Sequence, residues 1–366
     1  MNKKNSLLPS GFYDLLPKDA GKEHFAICNL LSVFSAFGYD LVSPPLVEFE
    51  SSLLAERGDE LSERTMRVHD AISQKIMGIR SDITLQIARI ALTRLLDSPR
   101  PLRLCYSGQI IQSKPESLRN ERQLTQAGIE MIGNDSMQAD AEIIIIASEA
   151  LAKIGINDIS IDINLPGLLY KLCPEAHTDK ILQKQIKDAI ICKDIATISA
   201  LDIKNSDLLS SLVSSAGAVE KSLSILNSCA PEEALFIKEL VENLYRNCPN
   251  ISLTLDPVEY CGFDYHDGIS FSIFAKDIRH EIGRGGRYKV GAESATGFTI
   301  YVTHLLSLLP ELENNKLILV DKNLSIAILR DLQKQGFRTL YASSDNIADE
   351  AEKIGAGQYV SNNKGL

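Results

Sequence analysis

The sequence predicts an α+β fold that carries a helical insertion and ends in a small α/β module. Three observations lead there. Residues 102–111 and 122–132 are apolar-rich runs of strand length, separated by the polar connector 112–121, a pattern of two antiparallel strands. Residues 166–250 lose strand signals and hold amphipathic segments of helical period. From about residue 315, short apolar runs alternate with amphipathic helices in βαβ order. The expected division is a main domain over residues 1–312, with the insertion at about 166–250, and a module over 315–366.

Taken in order, residues 8–20 carry Pro9, Gly11, Asp14 and Pro17 and read as an extended leader. Residues 20–37 place Phe25, Cys28, Leu31 and Phe34 at helical spacing before Gly38, a stop. Residues 40–47 read as a strand interrupted by Pro44-Pro45; prolines donate nothing to a ladder, so this strand belongs at an edge or interface. Ser81-Asp82 opens a helix over 83–96, residues 139–154 form another ending at Gly155, and Ile159, Ile161 and Ile163 alternate in a half-buried strand. Within the insertion, helices are expected at 183–191, 206–215, 218–228 and 232–246. Strands resume at 251–255 and 269–274, residues 283–286 read as a turn, and 303–309 as a helix stopping near Pro310. In the last stretch, strands at 317–320, 338–341 and near Tyr359 alternate with helices at 323–335 and 347–354, with Gly336 and Gly355 as helix stops.

Composition narrows the class. The 366 residues suffice for one large domain or two ordinary ones, and 45% apolar with 23% charged residues is an ordinary globular balance. Apolar runs such as 143–147 are far too short to span a bilayer, and the basic N-terminal cluster is not followed by a long apolar region, so neither a membrane span nor a signal peptide is expected. Seven cysteines with no C-x-x-C pair argue against a disulfide framework or metal site and fit a reducing cytoplasm. A net charge of −10 argues against a large nucleic-acid footprint.

The chemistry-bearing residues have bland and functional readings. In 122–132 the period of two puts Leu124, Gln126, Gly128 and Glu130 on one face and Thr125, Ala127, Ile129 and Met131 on a core-like face. The first face is either a solvated sheet surface or a site where Gln126 and Glu130 meet an ammonium or imidazole N–H, with Gly128 letting the ligand approach. Asp82 and Thr84 sit at a helix start, either as a cap or as a grip on an α-amino group; the two roles can coexist. Tyr265 and His266 precede a Gly268 turn and can shape a polar pocket, though no nucleophile–base–acid triad surrounds them. Residues 283–286 lack the G-x-G-x-x-G spacing and the Lys-Ser/Thr ending of a phosphate loop.

Several segments resemble class II aminoacyl-tRNA synthetases, and histidyl-tRNA synthetase in particular. Gly38-Tyr39 through Pro44-Pro45-Leu46-Val47-Glu48 resembles motif 1, whose proline marks a dimer interface. Tyr106-Ser107-Gly108 through Gln126-Ala127-Gly128-Ile129-Glu130 is similar to motif 2, Gly262-Phe263-Asp264-Tyr265-His266 to the histidine-specific segment, Gly285-Gly286-Arg287-Tyr288 to its G-G-R-Y, and Ala295-Thr296-Gly297-Phe298 through His304 to motif 3. The resemblance covers about residues 8–310 and implies an antiparallel sheet flanked by helices. It places Asp82 and Thr84 on the α-amino group of histidine, Gln126 and Glu130 on histidine-binding positions, and Tyr265 and His266 on the imidazole pocket, where His266 replaces the family's tyrosine. It also implies losses. Arginines that hold ATP or activate the amino acid align with Gln112, Asn120, Cys261 and His304, and a nearby acidic position aligns with Lys114. Losing one preorganised donor costs roughly 2.7–4 kcal/mol of transition-state stabilisation, so several losses leave little adenylation.

The synthetase ends in a full α/β anticodon-binding domain, of which residues 315–366 resemble a shortened remnant. One group joins a retained histidine pocket, lost arginines and such a shortened module: the regulatory subunits of ATP phosphoribosyltransferase. The run Arg80-Ser81-Asp82-Ile83-Thr84, followed by Gln86, Ala88, Arg89 and Ile90, resembles that group specifically. The resemblance implies a chain with no catalysis or cofactor of its own, which forms a hetero-octamer with a short-form catalytic subunit and relays feedback inhibition by free histidine in the first step of histidine biosynthesis. It further implies self-dimerisation through the motif 1 region. Two rivals are an active histidyl-tRNA ligase and a tRNA-sensing module; the charge makes tRNA an unexpected partner.

Overall fold

The computed structural model of the chain describes residues 7–54, 59–115, 120–259, 266–312 and 316–361. Two compact units divide it, Met1–Leu309 and Pro310–Leu366. The larger opens with helix α1 (Pro17–Ala36) and strand β1 (Asp40–Leu41). Strands β2 (Val47–Phe49), β3 (Met66–His69) and β4 (Ile76–Ile79) form a small antiparallel sheet, with short helices α2 (Glu50–Leu53) and α3 (Asp59–Arg64) inside its connections. Helix α4 (Thr84–Thr93), strands β5 (Leu102–Ile111) and β6 (Gln123–Ile132), helix α5 (Met137–Lys153) and strand β7 (Ile159–Asn164) follow. The insertion comprises α6 (Leu168–Leu172), α7 (Lys180–Ile191), α8 (Ile195–Ala200), α9 (Ser206–Ser215), α10 (Val219–Cys229) and α11 (Pro231–Asn247). Strands β8 (Ser252–Asp256), β9 (His266–Ala275), β10 (Gly283–Val290) and β11 (Glu293–Tyr301) and helix α12 (Val302–Leu305) complete the unit.

Among the described residues, eight strands form the main sheet in the order β1-β5-β6-β11-β10-β9-β7-β8. The outermost pairs at both ends, β1–β5 and β7–β8, are parallel; every other pair is antiparallel. This is the predicted α+β class, with helices on both faces. Pro17 starts α1 where its missing N–H costs nothing, and Ala26, Leu30 and Phe34 are buried at a four-residue spacing. They meet Ala127, Ile129 and Met131 of β6 and the Ile143, Ile146 and Ala147 face of α5 in one core. Ser136 caps α5 by accepting the Ala139 N–H at 3.2 Å. On the opposite face, Ile83, Ile87, Ala88 and Ala91 of the α4 region cover Leu104, Tyr106, Ile110 and Leu124.

Four sequence expectations change. The strand expected over 40–47 is split, because the two prolines fill the connection between β1 and β2; β1 does lie at the sheet edge. The helix expected over 83–96 is helical only from Thr84 to Thr93, and that at 303–309 is the single turn Val302–Leu305. The 283–286 turn is instead the start of β10, paired on both sides. Three glycines in four residues look like a turn, but here they allow close backbone approach: a Cβ at Gly285 would overlap the Gly297 carbonyl and the Phe271 ring. The small sheet of β2, β3 and β4 had no expectation at all.

The smaller unit contains β12 (Leu317–Val320), α13 (Ile326–Lys334), β13 (Arg338–Tyr341), α14 (Ile347–Ile354) and β14 (Gln358–Val360). Its strands are all parallel in the order β13-β12-β14, as a βαβαβ chain requires. Ser325 caps α13, and Gly355 closes α14 in the left-handed region at φ 69°. Helix α13 covers one face of β12 through Leu329 and Leu332, and α14 the other through Ile347 and Ala351.

Candidate ligand site

Strand register builds the site. Glu130 of β6 lies opposite Gly297 of β11, which lies opposite Gly286 of β10. Opposed residues in a ladder share a face, so beside the Glu130 side chain runs a strip with no side chains. The next row places Tyr106, Gly128, Thr299 and Arg284 side by side. The α4 region lies over this face, bringing Asp82 and Thr84 to it.

Glu130 is 1% exposed and Gln126 fully buried, so the solvated-face reading of this strand is corrected. Local alternation cannot reveal a cover contributed by a helix some forty residues earlier. A second correction concerns Gly128. The room above it is taken by the Tyr106 phenol, whose oxygen would lie 2.6 Å from a Cβ there. Above Gly297 the Glu130 carboxylate itself fills the room, and what open space there is lies beside it, next to Gly285 and Gly286. A cavity of about 20 Å³, enough for about one water, is lined there by Asp82, Thr84, Glu130, Arg284, Tyr288 and Thr299 among others.

The predicted polar residues form one network. Asp82 Oδ1 accepts the Thr84 N–H at 2.7 Å, and its Oδ2 accepts from Gln126 Nε2 at 3.1 Å. Gln126 Oε1 accepts the Ile83 N–H at 3.2 Å. The Thr84 hydroxyl donates to Glu130 Oε1 at 2.8 Å, joined there by Tyr106 at 3.3 Å, and Tyr288 donates to Oε2 at 2.7 Å. Asp82 thus does serve the helix start, while keeping its second oxygen in the site. Burial drives the Glu130 pKa up to about 8 despite these three hydroxyls, which favour its ionised form. The result is a near-neutral acid, buried and ringed by donors, that an incoming cation would ionise.

Tyr106, Tyr288, Thr299 and Arg284 carry no assigned role in the sequence reading. Register would have found them, since each lies on the Glu130 face within two positions of its row. Arg284 pairs with Glu281 and packs 5.7 Å from the Tyr301 ring centroid. Arg287, by contrast, points away from the site. It binds both oxygens of buried Asp140, at 2.8 and 3.1 Å, and the carbonyls of Asn134 and Ser136. Gly297→Ala is expected to cost about 1–3 kcal/mol by overpacking, since its Cβ would overlap Glu130 Oε2. Urea unfolding of the variant measures this.

The substituted positions are dispersed. Asn120 and His304 line one cleft of about 1070 Å³, together with Tyr13, Arg279 and His280. His304 Nδ1 lies 3.2 Å from the Glu281 carbonyl, and its ring packs on Tyr301 and His280 at 5.0 and 5.2 Å between centroids. Gln112 is buried at a bridge to Thr65, its backbone held on both sides by Arg122. Cys261 and Tyr265 lie outside the described residues, as does the His266 side chain; the His266 backbone opens β9 opposite Tyr288.

A profile described as "Histidyl-tRNA synthetase" matches residues 11–305. Two solved structures share the fold: an ATP phosphoribosyltransferase regulatory subunit/histidyl-tRNA synthetase from Bacillus halodurans (TM-score 0.84, 19% identity, 97% of this chain and 98% of that one) and histidyl-tRNA synthetase from Nostoc sp. PCC 7120 (TM-score 0.76, 18% identity, 96% and 90%). The fold is thus that of the class II synthetases. Two curated relatives are more specific. ATP phosphoribosyltransferase regulatory subunit from Rhodospirillum centenum is 38% identical over 361 residues (96% of this chain, 94% of that one), and its counterpart from Paramagnetospirillum magneticum is 41% identical over 350 (94% and 92%). The chain belongs to the family of ATP phosphoribosyltransferase regulatory subunits, within the histidyl-tRNA synthetase-like fold.

Proposed function

We propose that this chain is the histidine-sensing, non-catalytic partner of a short-form ATP phosphoribosyltransferase catalytic subunit, required for that subunit's activity in the first step of histidine biosynthesis. The observation that carries the sensing role is the buried Asp82–Gln126–Thr84–Glu130 network beside a glycine strip. An α-ammonium or imidazolium is the group such an acid–amide set recognises, and burial makes an uncompensated Glu130 charge costly enough to reward a cationic ligand. Tyr265 and His266 are proposed to complete the imidazole side. Binding then favours one packing of the complex over another, by no more than the difference in histidine affinity between the two.

Absence of turnover rests on Gln112, Asn120, Cys261 and His304, none of which offers a fixed guanidinium. Arg279, exposed at the rim of the Asn120–His304 cleft, is not a preorganised donor. ATP–pyrophosphate exchange with histidine is therefore expected to give no signal above background, and robust exchange would restore the ligase reading. Self-association through residues 38–48, assembly into a hetero-octamer, and a cytoplasmic location without tRNA belong to the same proposal. Among the described residues no helix is long and apolar enough to cross a membrane. The deciding experiment is co-purification with a short-form catalytic subunit, followed by phosphoribosyl transfer assays with and without histidine. Activity that needs this chain and falls with histidine supports the proposal; activity of the catalytic subunit alone, indifferent to this chain, refutes it.

A further inference from the structure

Three successive carbonyls in the connection between β1 and β2 are held from one place. Arg80 Nη1 donates to Pro44 O at 2.9 Å, Gln86 Nε2 to Pro45 O at 2.7 Å, and the Arg80 backbone N–H to Leu46 O at 3.1 Å. The two prolines bring no N–H of their own, so side chains set the path of this segment. Arg80 is also fixed from beneath: its Nε donates to Gln109 O at 2.7 Å, its carbonyl accepts from the Ile111 N–H at 3.0 Å, and a Cβ at Gly108 would overlap its guanidinium. Gln86 additionally donates to Glu48 Oε1 at 2.8 Å, and Arg89 binds both Glu48 oxygens. Arg80 and Gln86 are buried.

Between these two clamp residues, in the same turn of chain, sit Asp82 and Thr84 of the ligand site. Thr84 is the first residue of α4 and Gln86 the third, so a shift of the helix start toward or away from a ligand moves Gln86 and its bond to Pro45 O, against an Arg80 anchored on β5. Letting go is the costlier course: a buried group left without its hydrogen bond costs about 1–3 kcal/mol. The segment follows.

We propose that Arg80 and Gln86 are positioning residues that transmit occupancy of the Asp82–Glu130 site to residues 42–48, part of the stretch through which self-association is proposed. The inference rests on that site being a ligand site, but its core is testable without ligand. Hydrogen exchange of the full-length chain reads the amides of Val42, which donates to the Cys105 carbonyl at 2.9 Å, and Glu48, opposite Gly78 in the β2–β4 ladder. Thr84→Ala, which removes the bond to Glu130, is expected to speed their exchange about tenfold, and to add nothing in a Gln86→Ala background, since coupled neighbours are non-additive. Gln86→Met, which keeps the volume but drops both donors, serves if the alanine variant does not fold. Additive effects would overturn the proposal. With saturating histidine, exchange at these amides is expected to change about tenfold in the wild-type chain and not in Gln86→Ala, although calorimetry gives both the same affinity within about threefold. A response that persists in Gln86→Ala overturns the transmission. Failure of the wild-type chain to bind histidine overturns the effector assignment instead, and the ligand-free arm then decides the clamp by itself.

Discussion

Arg287→Ala is expected to destabilise the larger unit by about 3–5 kcal/mol, the range for stripping one partner from a buried ion pair. Asp140 is 1% exposed and Arg287 8% exposed, and burial already lifts the Asp140 pKa while Arg287 holds it down. Without the guanidinium, Asp140 must take up a proton or keep a buried charge unpaired. The same guanidinium ties the 134–136 loop, which caps α5, to β10 and to Ser294 Oγ at 2.8 Å. The urea midpoint of Arg287→Ala, with Asp140→Asn/Arg287→Ala as partner, tests this. The double variant should recover part of the loss, because no buried carboxylate remains. A single variant within about 0.5 kcal/mol of wild type would show that the clasp is not structural.

Glu130→Gln should abolish the dependence of stability on pH that this one acid imposes. The folded pKa of about 8 lies above the ordinary value of 4.5, so between those limits the folded chain holds a proton that the unfolded chain has released. Stability therefore falls as pH rises through this window, by up to about 1.4 kcal/mol per unit, with the full penalty above pH 8 and none below 4.5. The glutamine stays neutral, and its stability curve should be flatter by that amount. Binding moves the other way. A cationic ligand needs the carboxylate ionised, so histidine should bind with proton release near neutral pH, seen as a calorimetric heat that varies with buffer ionisation enthalpy. In Glu130→Gln that variation should vanish, and affinity should drop by at least about a hundredfold, as for a charge-assisted contact of about 3 kcal/mol. Unchanged histidine affinity would refute the role given to Glu130.

Much of the fold was legible because its elements declare their own period. The helices at 206–215 and 347–354 coincide with expectation, since each buries one face of a regular pattern, and the strands at 317–320 and 338–341 coincide as short runs set between those helical patterns. Legibility fails where geometry comes from elsewhere in the chain. The 283–286 segment looks like a turn until β9 and β11 are placed on either side of it. The β2–β4–β3 sheet has edges too short and too exposed to leave a periodic trace. In the site, strand alternation and a helix start single out Gln126, Glu130, Asp82 and Thr84, motif resemblance gives them a ligand to hold, and the structure joins them through hydrogen bonds. Tyr106 and Tyr288 stayed silent because a tyrosine in a strand looks like core; only register shows their hydroxyls meeting on one carboxylate.

That meeting has a practical side. The chain contains no tryptophan, so its ultraviolet emission comes from phenols alone, and two of its eleven tyrosines donate directly to Glu130. A carboxylate that sheds its proton beside a phenol quenches it, whereas the neutral acid does so far less. Events at the centre of the sheet are thereby written into the protein's own luminescence, and titrations can be followed without a dye, a label or an engineered indole.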